Sequence, residues 1–213
     1  MASLTSASKA GRRGPLTAIV AAAIVVVIVA AVVVVRGRSA GQLAGGTFTD
    51  TPPASDFVLP DQNGQMVRMA NLRGKVVALT FLYTNCPDVC PVIATNLGLA
   101  DHRLGATAQQ LQIVAVSVDP AGDTLANVKK FTQSHGLAGL DNWHYLMGSL
   151  SQLQPVWKAY HVGSSASSGH NPEGLEHSAL VYLVDPTGKL RVILPANFTI
   201  EDLVQDVRVL AGS

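Results

Sequence analysis

The segment Cys86-Pro87-Asp88-Val89-Cys90-Pro91 decides the fold, and it contains both cysteines of the 213-residue chain. It follows an almost unbroken apolar run, Val76–Tyr83, that is typical of a strand covered on both faces of a sheet. Pro91 suits the first turn of a helix, where its missing N–H costs nothing. The pattern therefore predicts a strand that leads into a helix, with two thiols at the junction. Because a helix N-terminus stabilises thiolate, this junction suits redox chemistry or the binding of a soft metal ion.

Strands and helices alternate along the rest of the chain. An N-terminal hairpin is predicted around Asn63-Gly64, and a second hairpin around Pro186-Thr187-Gly188. Strands are predicted at 56–59, 65–68, 76–83, 111–118, 143–146, 178–184 and 189–194, and helices at 91–104, 124–134, 149–160 and after the capping-box sequence 199–202. We expect Pro155 to disturb the third helix. The order predicts an α/β, thioredoxin-like fold, in which helices flank a central mixed sheet and the N-terminal hairpin is an addition.

Residues 16–35 predict one N-terminal transmembrane helix, because Thr17 is their only polar residue. A helix of twenty residues is about 30 Å long, which matches the hydrocarbon core of a bilayer. A cleaved signal peptide is the alternative, but its apolar region is usually only about 7–15 residues long. Three basic residues precede the span and two follow it, which favours a cytoplasmic N-terminus.

The domain organisation follows from this anchor. We expect a cytoplasmic tail at 1–15, the anchor at 16–35, a flexible Gly- and Ser-rich linker at 36–53, and the folded domain at 54–213. The protein would then be a single-pass protein of a bacterial plasma membrane, with its soluble domain on the extracytoplasmic side. A mitochondrial inner membrane is the alternative. An exported domain could also form one disulfide bond between its two cysteines.

The charge of the folded part argues against nucleic acid as a partner. Five of the fifteen Lys and Arg residues, and none of the fourteen Asp and Glu residues, lie in residues 1–40. Residues 41–213 therefore carry ten basic and fourteen acidic side chains, a net charge of −4. An anionic domain without a basic cluster lacks the electrostatic footprint of a nucleic-acid-binding protein.

Two thiolates four residues apart can close on one metal ion or on each other, and soft sulfur ligands favour Cu(I) or Zn(II). A third donor could come from six histidines. His177 differs from the rest because it directly precedes the predicted strand 178–184, which in a thioredoxin-like sheet begins beside the active-site turn. The other five are not predicted to be ligands: His102, His135, His144, His161 and His170.

At this point the chain resembles the Sco/SenC family, the copper chaperones of cytochrome c oxidase assembly. Three stretches carry the resemblance, in the same order and spacing: Thr80–Pro91 with its two cysteines, Ser117–Pro120 followed by Asp123-Thr124, and Glu176–Ser178 leading into Tyr182–Gly188. The predicted anchor and linker also fit. The resemblance covers about residues 50–210.

The resemblance implies that Cys86, Cys90 and His177 bind copper, as Cu(I) or Cu(II). It implies a membrane-anchored metallochaperone that delivers copper to the dinuclear copper site of cytochrome c oxidase subunit II. An upstream copper donor or a thiol reductant would be a further partner. The cysteines could also reduce those of the target site. Asp119 is expected to shape its loop rather than bind metal, and Asp88 either caps the helix or tunes the site.

The alternative is an enzyme that uses Cys86 and Cys90, either a thiol–disulfide oxidoreductase or a peroxiredoxin-like peroxidase. Thioredoxin-like reductases usually space their cysteines C-x-x-C, so the extra residue here favours a metallochaperone. A copper sensor or copper store is a third possibility. Storage usually needs many sulfur ligands, and the sequence does not place Met66, Met69 and Met147 in one cluster.

Overall fold

The computed structural model describes residues 41–162 and 179–212, together with Ile24, Val26 and Val27. The strands within these described residues are β1 (Gly46–Thr47), β2 (Val58–Pro60), β3 (Met66–Arg68), β4 (Val76–Leu82), β5 (Leu111–Ser117), β6 (Trp143–Leu146), β7 (Leu180–Val184) and β8 (Leu190–Pro195). The α-helices of residues 41–212 that it describes are α1 (Val89–Leu104), α2 (Leu125–Ser134), α3 (Leu150–Ala159) and α4 (Ile200–Ala211). Short 3₁₀ turns follow β3 and α1.

Six strands form one mixed sheet in the order β1-β8-β7-β4-β5-β6. Strands β4, β5 and β6 are parallel, whereas β7, β8 and β1 are added antiparallel on the other side of β4. Parallel neighbours need long crossovers, and the helices α1 and α2 provide them. The predicted α/β fold with a central mixed sheet flanked by helices is confirmed.

The core has two layers, one on each face of this sheet. All seven residues of β4 and all seven of β5 are buried, as their apolar runs predict. Successive residues of β4 alternate between the faces, so that Ala78 joins the layer under α1, α2 and α4, and Leu79 joins the layer under α3. The two central strands are therefore held from both sides.

The predicted N-terminal hairpin forms from β2 and β3 as a separate two-stranded sheet. Its turn closes through the Asp61 N–H, which donates to the Gln65 carbonyl at 2.8 Å, and Gly64 supplies the positive φ of 79° that the turn requires. Gln62 then reaches the edge strand β6. Its side-chain amide donates to the Trp143 carbonyl at 3.0 Å and accepts from the Tyr145 N–H at 2.6 Å.

Helix boundaries agree with the predictions apart from two differences. Helix α1 begins at Val89 rather than at Pro91, and Pro91 lies in its first turn. Helix α3 continues through Pro155 without a break, although we expected this residue to disturb it. A capping box at Ser149 closes the start of α3, and its buried residues, which include Leu153 and Trp157, hold it on the sheet.

Residues 42–53 differ from the expected flexible linker, because they are hydrogen-bonded along one side of the folded domain. Strand β1 pairs with β8, and the Leu190 N–H donates to the Pro52 carbonyl at 2.8 Å. Further upstream, the Ala44 and Gly45 N–H groups donate to the buried Asp206 carboxylate at 2.5 and 3.1 Å. The compact unit therefore begins at Gln42 rather than at residue 54.

The predicted tail at 1–15 and the predicted anchor at 16–35 lie outside the described residues, except for Ile24, Val26 and Val27, which are helical. Among the residues that the structure describes, no helix has both the length and the apolar character needed to cross a bilayer.

We predict that Gly45→Ala loosens β1, because a Cβ atom there would overlap Val192 Cγ1 and lie 2.7 Å from Leu194 Cδ2. Such overpacking costs about 1–3 kcal/mol of unfolding free energy, measurable by chemical denaturation. Gly46→Ala is the matched control, since its Cβ would meet its nearest atom, the Ile193 carbonyl oxygen, at an ordinary 3.6 Å. Equal losses in the two variants would contradict the close approach of Gly45.

Candidate metal centre

The two cysteines lie where β4 ends and α1 begins. The chain turns sharply after Tyr83, whose carbonyl accepts from the Cys86 N–H at 3.3 Å. Cys90 is in the first turn of α1, and its N–H donates to Cys86 Sγ at 3.4 Å. Cys86 is half-buried, whereas Cys90 is only 4% exposed, and both are free thiols. The predicted strand-to-helix junction with two adjacent thiols is therefore present.

The two thiols differ in acidity because they occupy different positions in this turn. A hydrogen bond from the Cys90 thiol lowers the pKa of Cys86 to about 6, assisted by the N–H groups of Asp88 and Cys90 and by the Tyr83 hydroxyl, although partial burial opposes the shift. The same hydrogen bond, together with burial, raises the pKa of Cys90 well above its ordinary value. At neutral pH the pair therefore holds one thiolate, on Cys86, and one thiol, on Cys90.

Tyr83 completes the surroundings of Cys86, and it was not among the residues predicted to form the site. Burial, and then the negative charge of Cys86, raises the pKa of the Tyr83 phenol to about 12. The phenol therefore stays protonated and can donate to the thiolate. A tyrosine three residues before a cysteine is a weak signal, because an aromatic side chain at a strand end is usually part of the core.

Asp123 is a second residue that sequence reasoning did not assign to the site. It directly precedes Thr124, the cap of α2, whose side chain accepts from the Asn127 N–H at 3.2 Å. The Asp123 carboxylate accepts from the Thr84 N–H at 2.7 Å and from the hydroxyl groups of Ser117 at 2.6 Å and Tyr145 at 2.8 Å.

The other two acidic residues near the cysteines, Asp119 and Asp88, have different roles. Asp119 shapes its own loop, as expected: its carboxylate accepts from the Gly122 N–H at 3.0 Å, and its carbonyl accepts from the Asp123 N–H at 2.9 Å. Asp88 precedes α1 and is exposed, but its side chain makes no capping hydrogen bond. Its contribution to the site is the backbone N–H that reaches Cys86.

Of the three predicted ligands, the structure brings Cys86 and Cys90 together, and His177 lies outside the described residues, as does His170. His102 is exposed on α1, as expected, and His161 is exposed after α3. His135 Nδ1 lies 2.7 Å from the Phe131 carbonyl, and His144 lies between Asp61 and Gln112, at 3.1 Å from each. Within 41–162 and 179–212, no three His, Cys, Asp or Glu side chains form a metal-binding group.

We predict that iodoacetamide modifies Cys86 at a rate that rises with pH and is half-maximal near pH 6, because the thiolate is the nucleophile and the pKa of Cys86 is about 6. Mass spectrometry of the modified peptide measures this rate for the reduced protein. Tyr83→Phe should move the midpoint to higher pH, since one hydrogen bond to the thiolate is lost. A parent midpoint near 8.5, the ordinary cysteine pKa, would contradict the assigned geometry.

Comparisons with known proteins place this arrangement in one family. The SCO1/SenC family model matches residues 47–212. The SCO1 protein homolog of Bacillus subtilis is 30% identical over 158 residues, which are 71% of this chain and 79% of the relative.

Solved structures share this fold, including the following two. The structure of Bradyrhizobium japonicum ScoI with copper bound superposes with a TM-score of 0.63 at 28% identity, over 74% of this chain and 99% of that one. BsSco is described as a member of the Sco family of cytochrome c oxidase assembly proteins with a disulfide switch. It superposes with a TM-score of 0.61 at 26% identity, over 80% and 98% of the two chains. With its paired cysteines at the start of α1 and the family model matching nearly the whole described domain, this chain belongs to the SCO1/SenC family.

Proposed function

We propose that this protein is a membrane-anchored metallochaperone that binds copper through Cys86, Cys90 and His177. The observation that carries the proposal is the pair of adjacent thiols at the start of α1 in a chain of the SCO1/SenC family. The copper-bound ScoI structure, which has the same fold, supports copper as the cargo.

The described donors suit a soft ion. Cys86 already favours its ionised form, so it can be the first sulfur to bind. Cys90 must lose its proton when the ion arrives, and copper binding therefore releases a proton and strengthens as the pH rises. An imidazole from His177 would complete a set of two thiolates and one nitrogen, which suits Cu(I) and can also hold Cu(II).

The proposed target is the dinuclear copper site of cytochrome c oxidase subunit II. The description of BsSco as a member of a family of oxidase assembly proteins supports this direction of transfer. Within the part of the chain that the structure describes, Cys86 is the more accessible of the two sulfurs, so an acceptor would meet it first. Ligand exchange at Cys86 could then pass the ion to the target.

The proposed location is a bacterial plasma membrane, with residues 1–15 in the cytoplasm, a single anchor at 16–35 and the copper site on the extracytoplasmic side. The apolar composition of 16–35 and the basic residues around it support this topology. The linker proposed at 36–53 leads from this anchor to the folded domain, and its residues from Gln42 onwards belong to the compact unit.

We predict that the reduced full-length protein in detergent binds one Cu(I) ion, measured anaerobically by competition with a chromophoric chelator. Cys86→Ser and His177→Ala should each weaken binding about tenfold or more, since even outer-shell partners of a metal are worth 10–100-fold. His102→Ala is the matched control, because His102 is an exposed histidine of α1. Tight binding that is indifferent to His177 would refute the three-ligand site, and an absence of tight binding would refute the proposed function.

Thiol–disulfide exchange is the second candidate function, and the unequal thiols favour it. An accessible Cys86 with a lowered pKa has the character of an attacking thiolate, and the buried Cys90 that of a resolving thiol. The same pair could reduce the cysteines of the target before copper is transferred.

The histidine separates the two candidates. If the chain is a peroxidase or a disulfide reductase, Cys86→Ser should abolish turnover, and His177→Ala should leave it unchanged, because neither reaction needs a nitrogen ligand. For a metallochaperone we expect no sustained turnover of peroxide, and comparable losses of copper binding in both variants. Steady-state assays with hydrogen peroxide and with a disulfide substrate test this.

A further inference from the structure

Asp123 is an unusual residue because it is a buried acid that faces hydrogen-bond donors from three parts of the chain. It is 3% exposed, and among the residues that the structure describes no cation pairs with it. Its Oδ1 accepts from the Thr84 N–H, two residues before Cys86. Burying a carboxylate that has no cation as a partner costs free energy, and hydrogen bonds to its two oxygens offset this cost.

The second oxygen fixes the carboxylate itself. Oδ2 accepts from Ser117 Oγ at 2.6 Å and from the Tyr145 hydroxyl at 2.8 Å. Ser117 is the last residue of β5, and Tyr145 is a fully buried residue of β6. The carboxylate is therefore anchored to two neighbouring strands of the sheet, and its remaining oxygen points at the turn that carries Cys86.

The same turn is held at a second point. The loop 119–123 is closed on itself by the hydrogen bonds of Asp119, and Gly122 lies against both Asp119 and Asn85. A Cβ atom at Gly122 would overlap the Asp119 carboxylate and lie 3.2 Å from Asn85 Nδ2. The loop that contains Asp123 thus packs directly on the residue that precedes Cys86.

We propose that Asp123 is a positioning residue for the cysteine pair. Its hydrogen bond to the Thr84 N–H holds the turn so that Cys86 Sγ stays within reach of the N–H groups at the start of α1, including that of Cys90 at 3.4 Å. These N–H groups stabilise a sulfur that carries negative charge, and a disulfide sulfur gains much less from them. Asp123 therefore stabilises the reduced pair relative to the disulfide.

This inference deepens the proposed function and rests on it in one respect, because it concerns the same two cysteines. It can therefore be tested without copper. The test is the equilibrium of the full-length protein in detergent with dithiothreitol. Dithiothreitol gives up two electrons and two protons as it closes to its cyclic disulfide. The protein disulfide takes both electrons and one proton, on Cys90, and the second proton passes to the buffer because Cys86 stays a thiolate at neutral pH. Asp123→Ala and Asp123→Asn both remove the negative charge, but only the Asn carboxamide oxygen can still accept from the Thr84 N–H. The difference between them isolates the hydrogen bond.

We expect the disulfide of Asp123→Ala to be about tenfold harder to reduce than that of Asp123→Asn, a difference of about 30 mV in reduction potential. Hydrogen exchange of the Thr84 amide should be protected in the parent and in Asp123→Asn, and about tenfold faster in Asp123→Ala. The matched control is Asp206→Ala against Asp206→Asn, because Asp206 is also a buried acid that accepts backbone N–H groups, but from Ala44 and Gly45. The disulfides of the two Asp206 variants should be equally easy to reduce within about twofold.

If the reduction equilibria of folded Asp123→Ala and folded Asp123→Asn agree within about twofold, the proposal is overturned. If Asp123→Ala does not fold, Tyr145→Phe replaces it, because this change removes one donor that fixes Oδ2 and leaves the charge in place. For Tyr145→Phe we expect a disulfide about threefold harder to reduce than in the parent, and faster hydrogen exchange of the Thr84 amide. An unchanged equilibrium with dithiothreitol would overturn the proposal. Tyr160→Phe is the control, since its buried hydroxyl donates to the Ser55 carbonyl at 3.1 Å.

Failure of this proposal and failure of the proposed function have different signatures. Normal copper binding with no difference between the Asp123 variants refutes only the positioning role. Absence of copper binding, with the expected difference in reduction, refutes only the metallochaperone.

Discussion

The parallel pairing of β4 with β5 is the constraint on which the rest of the structure depends. The two strands pair along seven residues each, from Val76 opposite Leu111 to Leu82 opposite Ser117, and every one of these residues is buried. Since parallel strands end at the same edge of a sheet, the segments that follow them must meet there. The cysteine turn after β4 and the loop 119–123 after β5 are brought together in this way, and the chemistry of the site follows from their contact.

That contact makes two identical side chains chemically unequal. Cys86 precedes α1 and faces donors, whereas Cys90 lies within the first turn of α1 and is packed in the core. The hydrogen bond from the Cys90 thiol to the Cys86 sulfur lowers the pKa of Cys86 and raises that of Cys90, and burial adds to the rise at Cys90. The two proposed functions, copper transfer and thiol exchange, both use this pair of sulfurs, so one site can support either proposal.

Much of the fold, and the centre of the site, could be predicted from local patterns. The apolar runs of β4 and β5, the hairpin turn at Asn63-Gly64 and the spacing of the cysteines are properties of neighbouring residues, and these predictions are confirmed. The contacts that were missed join distant residues. Thr84 and Asp123 are 39 residues apart, and Ala44 and Asp206 are 162 apart. The sequence around an aspartate does not distinguish one that caps a helix from one that accepts backbone N–H groups of a distant turn.

The two outer strands of the sheet have a consequence for how the protein meets other chains. Exposed strand edges are templates on which a foreign strand can add. Here β8 is covered by the two-residue strand β1, and β6 has part of its open hydrogen-bonding positions filled by the single amide group of Gln62. In the part of the sheet that the structure describes, little unpaired strand edge therefore remains for recognition by strand addition. We therefore expect a partner protein to contact side chains and loops of this one rather than extend its sheet.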